Sequence, residues 1–135
     1  MSAKDIVKRF YNSDLANDES IISQFFHKEC ELHWNSSRGF TVLRYDDIVS
    51  FFEGTRQAYE SLRFVFSHLL EDGPFVTSRH TLFANTIENP DEEVALAHFI
   101  SIWEVKDNQL FKCHEISQLA DESTMHSNSF KEIKI

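Results

Sequence analysis

The spacing of apolar residues changes near Leu62, from a helical repeat to an alternation of two. Before that point, Ile6, Val7 and Phe10 recur at helical spacing behind Ser2-Ala-Lys-Asp5, a capping-box pattern with Asp5 near the positive helix end. This predicts a first helix over about 3–15. Asn17 and Asp18 end it and cap a shorter helix carrying Ile21, Ile22, Phe25 and Phe26. Cys30-Glu-Leu-His-Trp34 alternates like a strand, Asn35-Ser36-Ser37 turns it, and Phe40–Leu43 reads as a short return strand. A third helix, capped by Asp46, runs to about Tyr59 with Ile48, Phe51, Phe52 and Tyr59 as its apolar stripe.

Beyond Leu62, four segments rich in β-branched and aromatic residues follow: Arg63–Leu70, Phe75–Ile87, Glu93–Val105 and Gln109–Leu119. Glu71-Asp-Gly-Pro74, Glu88-Asn-Pro-Asp-Glu92 and Asp107-Asn108 separate them with turn chemistry. Such short connections predict antiparallel hairpins and a four-stranded meander. The expected domain covers 1–120. In the remaining tail, 121–128 is polar, while Phe130, Ile133 and Ile135 offer a segment that can dock.

Composition adds a little. The 135 residues suffice for one domain with a real core, and thirteen Phe against three Gly and two Pro imply one filled with rings. A net charge of −9, with no basic run longer than Lys8-Arg9, argues against a nucleic-acid surface. No segment approaches the ~20 apolar residues of a membrane span, and no secretory pattern opens the chain, so a cytoplasmic protein with reduced Cys30 and Cys113 is expected. Cys30 and His33 make a C-x-x-H spacing. On a strand, residues three apart point to opposite faces, which disfavours a shared metal.

The order helix, short helix, strand, long helix and four long strands resembles the nuclear transport factor 2-like superfamily, which includes the SnoaL-like polyketide cyclases and the ketosteroid isomerases. Ile6-Val-Lys-Arg-Phe10, Phe25-Phe26-His-Lys-Glu-Cys-Glu-Leu-His-Trp34 and Trp103-Glu-Val-Lys-Asp-Asn-Gln-Leu110 carry the resemblance over roughly 3–119. It implies an α+β cone: N-terminal helices packed on a curved antiparallel sheet, with a cavity at the open end. It specifies fold better than function. Phe10, Trp34 and Ser101 fall where the isomerases place a tyrosine, a basic aspartate and an acid, so that chemistry is not expected. Tyr11, about 100° around the helix from Phe10, should point elsewhere. The cyclases rely on an acidic group of the final strands; Glu115 is nearest, but its parity points it outward.

The turns suggest a register. If Asp107-Asn108 is a two-residue turn, Lys106 faces Gln109, Trp103 faces Lys112 and Ser101 faces His114. If Ile87 faces Val94, then His80 faces Ser101 and Ser78 faces Trp103. His80, Ser101 and His114 would then lie side by side on the face that carries Val76, Leu82, Phe99 and Trp103. An apolar cavity with a few convergent polar groups describes a small-molecule site, and histidine titrates near neutral pH. The catalytic candidates are therefore His80 and His114. Ser101, Trp103, Trp34, Phe10, Ser78, Lys112 and Tyr59 are the candidate ligand-binding residues. A buried histidine is also commonly an ordinary hydrogen-bonded core residue.

Serine beside histidine raises hydrolysis, but no G-x-S-x-G elbow is present. A metal on the two histidines would need a third ligand, and no inward carboxylate is evident, so neither metal nor cofactor is expected. Ile100 and Ile102 on the opposite face call for cover, and the resemblance implies a homodimer there. The expected partner is a small apolar, carbonyl-containing ligand, bound or turned over in an isomerase, cyclase or dehydratase manner. The alternative is a non-catalytic module whose own side chains fill the cavity.

Overall fold

The computed structural model describes residues 1–120; the expected docking of the tail lies outside them. Three helices, α1 (Ala3–Tyr11), α2 (Ile21–Phe25) and α3 (Tyr45–Ala58), accompany six strands: β1 (Phe26–Ser36), β2 (Gly39–Arg44), β3 (Tyr59–Asp72), β4 (Phe75–Thr86), β5 (Glu93–Lys106) and β6 (Gln109–Leu119). The strands form one sheet in the order β2-β1-β6-β5-β4-β3. The expected α+β class and the meander of β3 to β6 are both present. The sequence pattern did not indicate that β1 pairs in parallel with β6, bringing the N-terminal hairpin to the end of the meander.

Local chemistry accounts for most boundaries. Ser2 caps α1 by accepting from Asp5 N, and the Asp5 carboxylate accepts from Ser2 N in return. The helix stops at Tyr11, four residues before the expected end, and Ser13 Oγ donates to the Phe10 carbonyl just beyond it. In α3 the cap is Arg44, two residues before the expected Asp46, with Asp47 Oδ2 accepting from Arg44 N. Phe26 and Tyr59, read above as helical, begin β1 and β3 instead.

Four of the strand pairings contain a register shift. Such bulges bend and twist a sheet, and here α1 and α3 cover its concave face. The core beneath α1 holds Val7, Phe10, Tyr11, Val76, Trp103, Leu110 and Cys113. Four aromatic rings, Tyr11, Phe25, Phe26 and Trp103, surround Phe10 at centroid distances of 5.2–5.9 Å. Phe10, Phe25 and Phe26 thus share one ring cluster with Tyr11 and Trp103, while Phe40, Phe51 and Phe75 are exposed.

Two register shifts decide what faces the cavity. Between β4 and β5, Ser78 pairs with Ser101 and His80 with Phe99, two residues from the register read off the sequence. A shift of two preserves the face of every side chain, so His80 and Ser101 both remain on the concave side. Between β5 and β6, Asp107 and Asn108 take positive φ values and pair Lys106 with Gln109, as the turn chemistry predicts. One pair later the register slips, because Val105 pairs with Leu110 but Glu104 pairs with Lys112. Phe111 is the extra residue. Its ring packs against His27 at 5.1 Å and lies under the ammonium groups of Lys106 and Lys112 at 4.7 and 5.5 Å. These contacts hold it out of the alternation, and a slip of one exchanges the faces of everything after it.

Candidate active site in the cone

Between α1, α3 and the concave face lies a cavity of about 520 Å³, within the range of small-molecule pockets. Its walls are mainly rings and aliphatic groups, among them Phe10, Trp34, Phe52 and Trp103. Its polar lining groups lie on the sheet, at Glu115, Ser117 and His80, on the helices, at Tyr11 and Thr55, and in and beside the turn between β1 and β2.

Glu115 is the acid of this wall. The bulge at Phe111 turns it inward, opposite Ser101, whose hydroxyl donates to Glu115 Oε1 at 2.6 Å. Burial pushes the Glu115 carboxyl up to about 7, and the Ser101 hydrogen bond partly offsets this by favouring the anion. Glu115 therefore exchanges a proton near neutral pH, the property required of a general acid or base.

His80 projects from β4 into the same region and is 1% exposed. Its ring stacks on Phe99, with centroids 5.1 Å apart and planes 9° apart, meets Phe64 edge-on and packs at a tilt against Tyr11 and Phe66. Desolvation lowers its pKa to about 3, so the imidazole is neutral at ordinary pH. Its Nδ1 is buried without a hydrogen-bond partner among the described residues.

Tyr11 corrects a second expectation. Both Phe10 and Tyr11 face inward, because α1 is buried over an arc wide enough to include adjacent positions. The Tyr11 hydroxyl accepts from Trp103 Nε1 at 2.9 Å. Burial, and the negative charges that Glu115 and Cys113 would carry, raise the phenol well above its ordinary value. Ser78, fully buried on β4, lies near enough to the phenol to favour its ionised form, though it makes no well-formed hydrogen bond.

The remaining candidates divide between two faces. Phe10, Trp34, Tyr59 and Trp103 line the cavity, with Trp34 Nε1 donating to Ser117 Oγ at 2.9 Å. Ser78 and Ser101 are buried in the sheet behind the wall rather than in its lining. His114 is not in the site. It sits on the convex face, exposed, stacked on His33 at 4.9 Å, so no His80–His114 pair exists to share a proton or a metal. Lys112 shares that displacement and lies in a shallow surface groove with Lys28, Arg44 and Phe111. The single cause for both is the Phe111 bulge. Absent from the sequence-based set, among the polar lining residues, are Tyr11, Glu115 and Ser117 on the helix and sheet and Ser37 and Arg38 in the turn between β1 and β2. A two-residue turn followed by a ring flanked by cations was the available signal of the bulge, but chain pattern alone does not distinguish it from regular alternation.

Residues 7–112 match the family model described as a SnoaL-like domain. The chain belongs to the SnoaL-like domain family. No curated protein matches the sequence. Among solved structures, the SnoaL-like chain is similar to IdmH of Streptomyces antibioticus, a candidate polyketide cyclase, with TM-score 0.70, 12% identity, and 94% of this chain and 97% of that one covered. A candidate SnoaL-like polyketide cyclase from Shewanella denitrificans OS-217 gives 0.69 at 11% identity, over 92% and 93%. An LEH-like epoxide hydrolase of M. tuberculosis gives 0.66 at 14%, over 85% and 81%. At such identities the likeness establishes the SnoaL-like fold and leaves the chemistry to the residues of the cavity.

Proposed function

We propose that this SnoaL-like domain binds a small, largely apolar molecule bearing one polar group, and acts on it by proton transfer through Glu115. The observation that carries this reading is the Ser101–Glu115 pair: a carboxyl poised near neutrality in the wall of an otherwise apolar cavity. Ser101 fixes one carboxyl oxygen and leaves the other to face the ligand. The group then takes a proton from a carbon next to a carbonyl, or donates one to a carbonyl oxygen, as an isomerisation, cyclisation or dehydration requires. His80, held neutral by burial, serves as a hydrogen-bonding wall rather than a base. The reaction needs no cofactor.

The test is Glu115→Gln, which keeps the shape and the Ser101 contact but removes the exchangeable charge. With the bound compound identified by native mass spectrometry of the purified chain, the variant should retain binding and lose turnover by at least about a hundredfold. Unchanged turnover would remove Glu115 from the reaction.

One observation favours a second reading, a carrier without chemistry. The deep end is closed by the rings of Phe10, Tyr11, His80 and Trp103, leaving few polar groups to contact a reacting centre. A ligand recovered unchanged after long incubation with the wild-type chain would support it. For the convex face, exposed Ile100, Ile102 and Ile116 support association of two copies through the sheet, and the proposal is a homodimer.

A further inference from the structure

The cavity borders two residues of opposite formal charge. Glu115 is the only acid in its lining among the described residues, and Arg38 is the only Lys or Arg. Arg38 is exposed at the rim, whereas Glu115 is half-buried in the wall. Trp34 is the register neighbour of Glu115, and Arg38 follows Trp34 by four residues, in the turn between β1 and β2.

The turn is formed by Ser36, Ser37, Arg38 and Gly39, all of which border the cavity. Gly39 takes φ +108, a conformation that side chains disfavour, and Ser36 Oγ accepts from Arg38 N. Ser37 Oγ accepts from Leu119 N, so its own hydroxyl proton remains to be donated at the mouth. Arg44 and Arg63 are tied to Glu31 and Glu93 at 2.8 and 2.6 Å. Among the described residues, Arg38 makes no such ion pair.

From this arrangement we infer that the ligand is an amphipathic monoanion. Its carboxylate or equivalent group meets Arg38 and Ser37 at the mouth, its apolar body fills the ring-lined middle, and its reacting polar group meets Glu115. The inference deepens the proposed function and rests on it. Orientation follows from charge. A negative group placed at the deep end would be desolvated beside an acid, whereas at the mouth it keeps part of its hydration and gains a guanidinium fork. The chain's net charge of −9 disfavours anions in general, so retention of one requires such a local cation.

The experiment uses the full chain loaded with Nile red, a neutral apolar dye, and displaces it with ω-hydroxydecanoate or with its methyl ester. The acid should displace the dye at about fivefold lower concentration than the ester, and Arg38→Ala should bring the ratio of the two midpoints to about one. Arg38→Lys should restore part of it. Equal displacement by acid and ester, or an acid preference that survives Arg38→Ala, overturns the assignment of Arg38 and leaves the cavity reading standing. Failure of Nile red itself to bind removes the cavity reading and this inference together.

Discussion

Ser101 and Glu115 lie directly opposite each other on β5 and β6, joined by a hydrogen bond of 2.6 Å on the concave face. On β4, the strand next to β5, His80 occupies the same face with no hydrogen-bond partner on Nδ1 among the described residues. The acid is held partly protonated by burial and the imidazole is held neutral, so each resists the charge it would carry free in water.

These opposite shifts predict an unusual pH–stability profile. Glu115 is raised from 4.5 to about 7, so its contribution is complete below 4.5 and is lost as pH rises to about 7. His80 is lowered from 6.5 to about 3, so its contribution is complete above 6.5 and is lost as pH falls to about 3. Between 4.5 and 6.5 the two slopes, each about 1.4 kcal/mol per pH unit, oppose each other. Urea denaturation of the wild type should show little change from these groups across that window. Glu115→Gln should instead gain stability as pH rises through it, and His80→Phe should lose stability. Parallel profiles for all three proteins would contradict the burial of both groups.

The Tyr11 hydroxyl is the acceptor for the buried indole of Trp103. Tyr11→Phe strands that N–H in the core and should lower unfolding stability by about 1–3 kcal/mol, read from the urea midpoint. A change within about 0.3 kcal/mol would mean that water or another group replaces the phenol.

Deleting Phe111 should restore unbroken alternation in β6. Cys113, 1% exposed in the core, would then turn outward and Glu115 would leave the cavity. The deletion is expected to cost several kcal/mol, since apolar groups leave the core in exchange for His114 and Lys112. In the folded fraction at low temperature, Cys113 should react with a thiol reagent far faster than in the wild type. Continued protection would show that the strand absorbs the deletion elsewhere.

The convex face makes a separate prediction. Ile102 and Ile116 are 46% and 65% exposed, on a surface shared with His33 and His114. Sedimentation at tens of micromolar should give a dimer, and Ile102→Glu should give a monomer of unchanged stability. A monomeric wild type at that concentration would end the proposal.

The fold was largely legible because its signals are local. Ser2 with Asp5, the positive-φ Asp107-Asn108 turn and the alternation in β4 and β5 are each set by a few neighbouring residues. The site was legible only where register errors were even. His80 kept its face through a two-residue error, whereas His114 and Glu115 exchanged faces through a one-residue error at Phe111. What fixes that bulge is a set of contacts with His27, Lys106 and Lys112, the first of them from β1, some eighty residues away in the chain. The inward turn of Tyr11 escaped for a related reason, since the width of a helix's buried arc depends on what packs around it. The parallel pairing of β1 with β6 is equally non-local.

The bulge at Phe111 also bears on how such a cavity diversifies. In most proteins a new functional group enters a pocket by substitution of a wall residue. Here the gain or loss of one codon in β6 re-deals a whole strand, presenting Glu115 and Ser117 in one frame and His114 and Ile116 in the other. Only a core that can bear the loss of Cys113 from it could exchange one frame for the other.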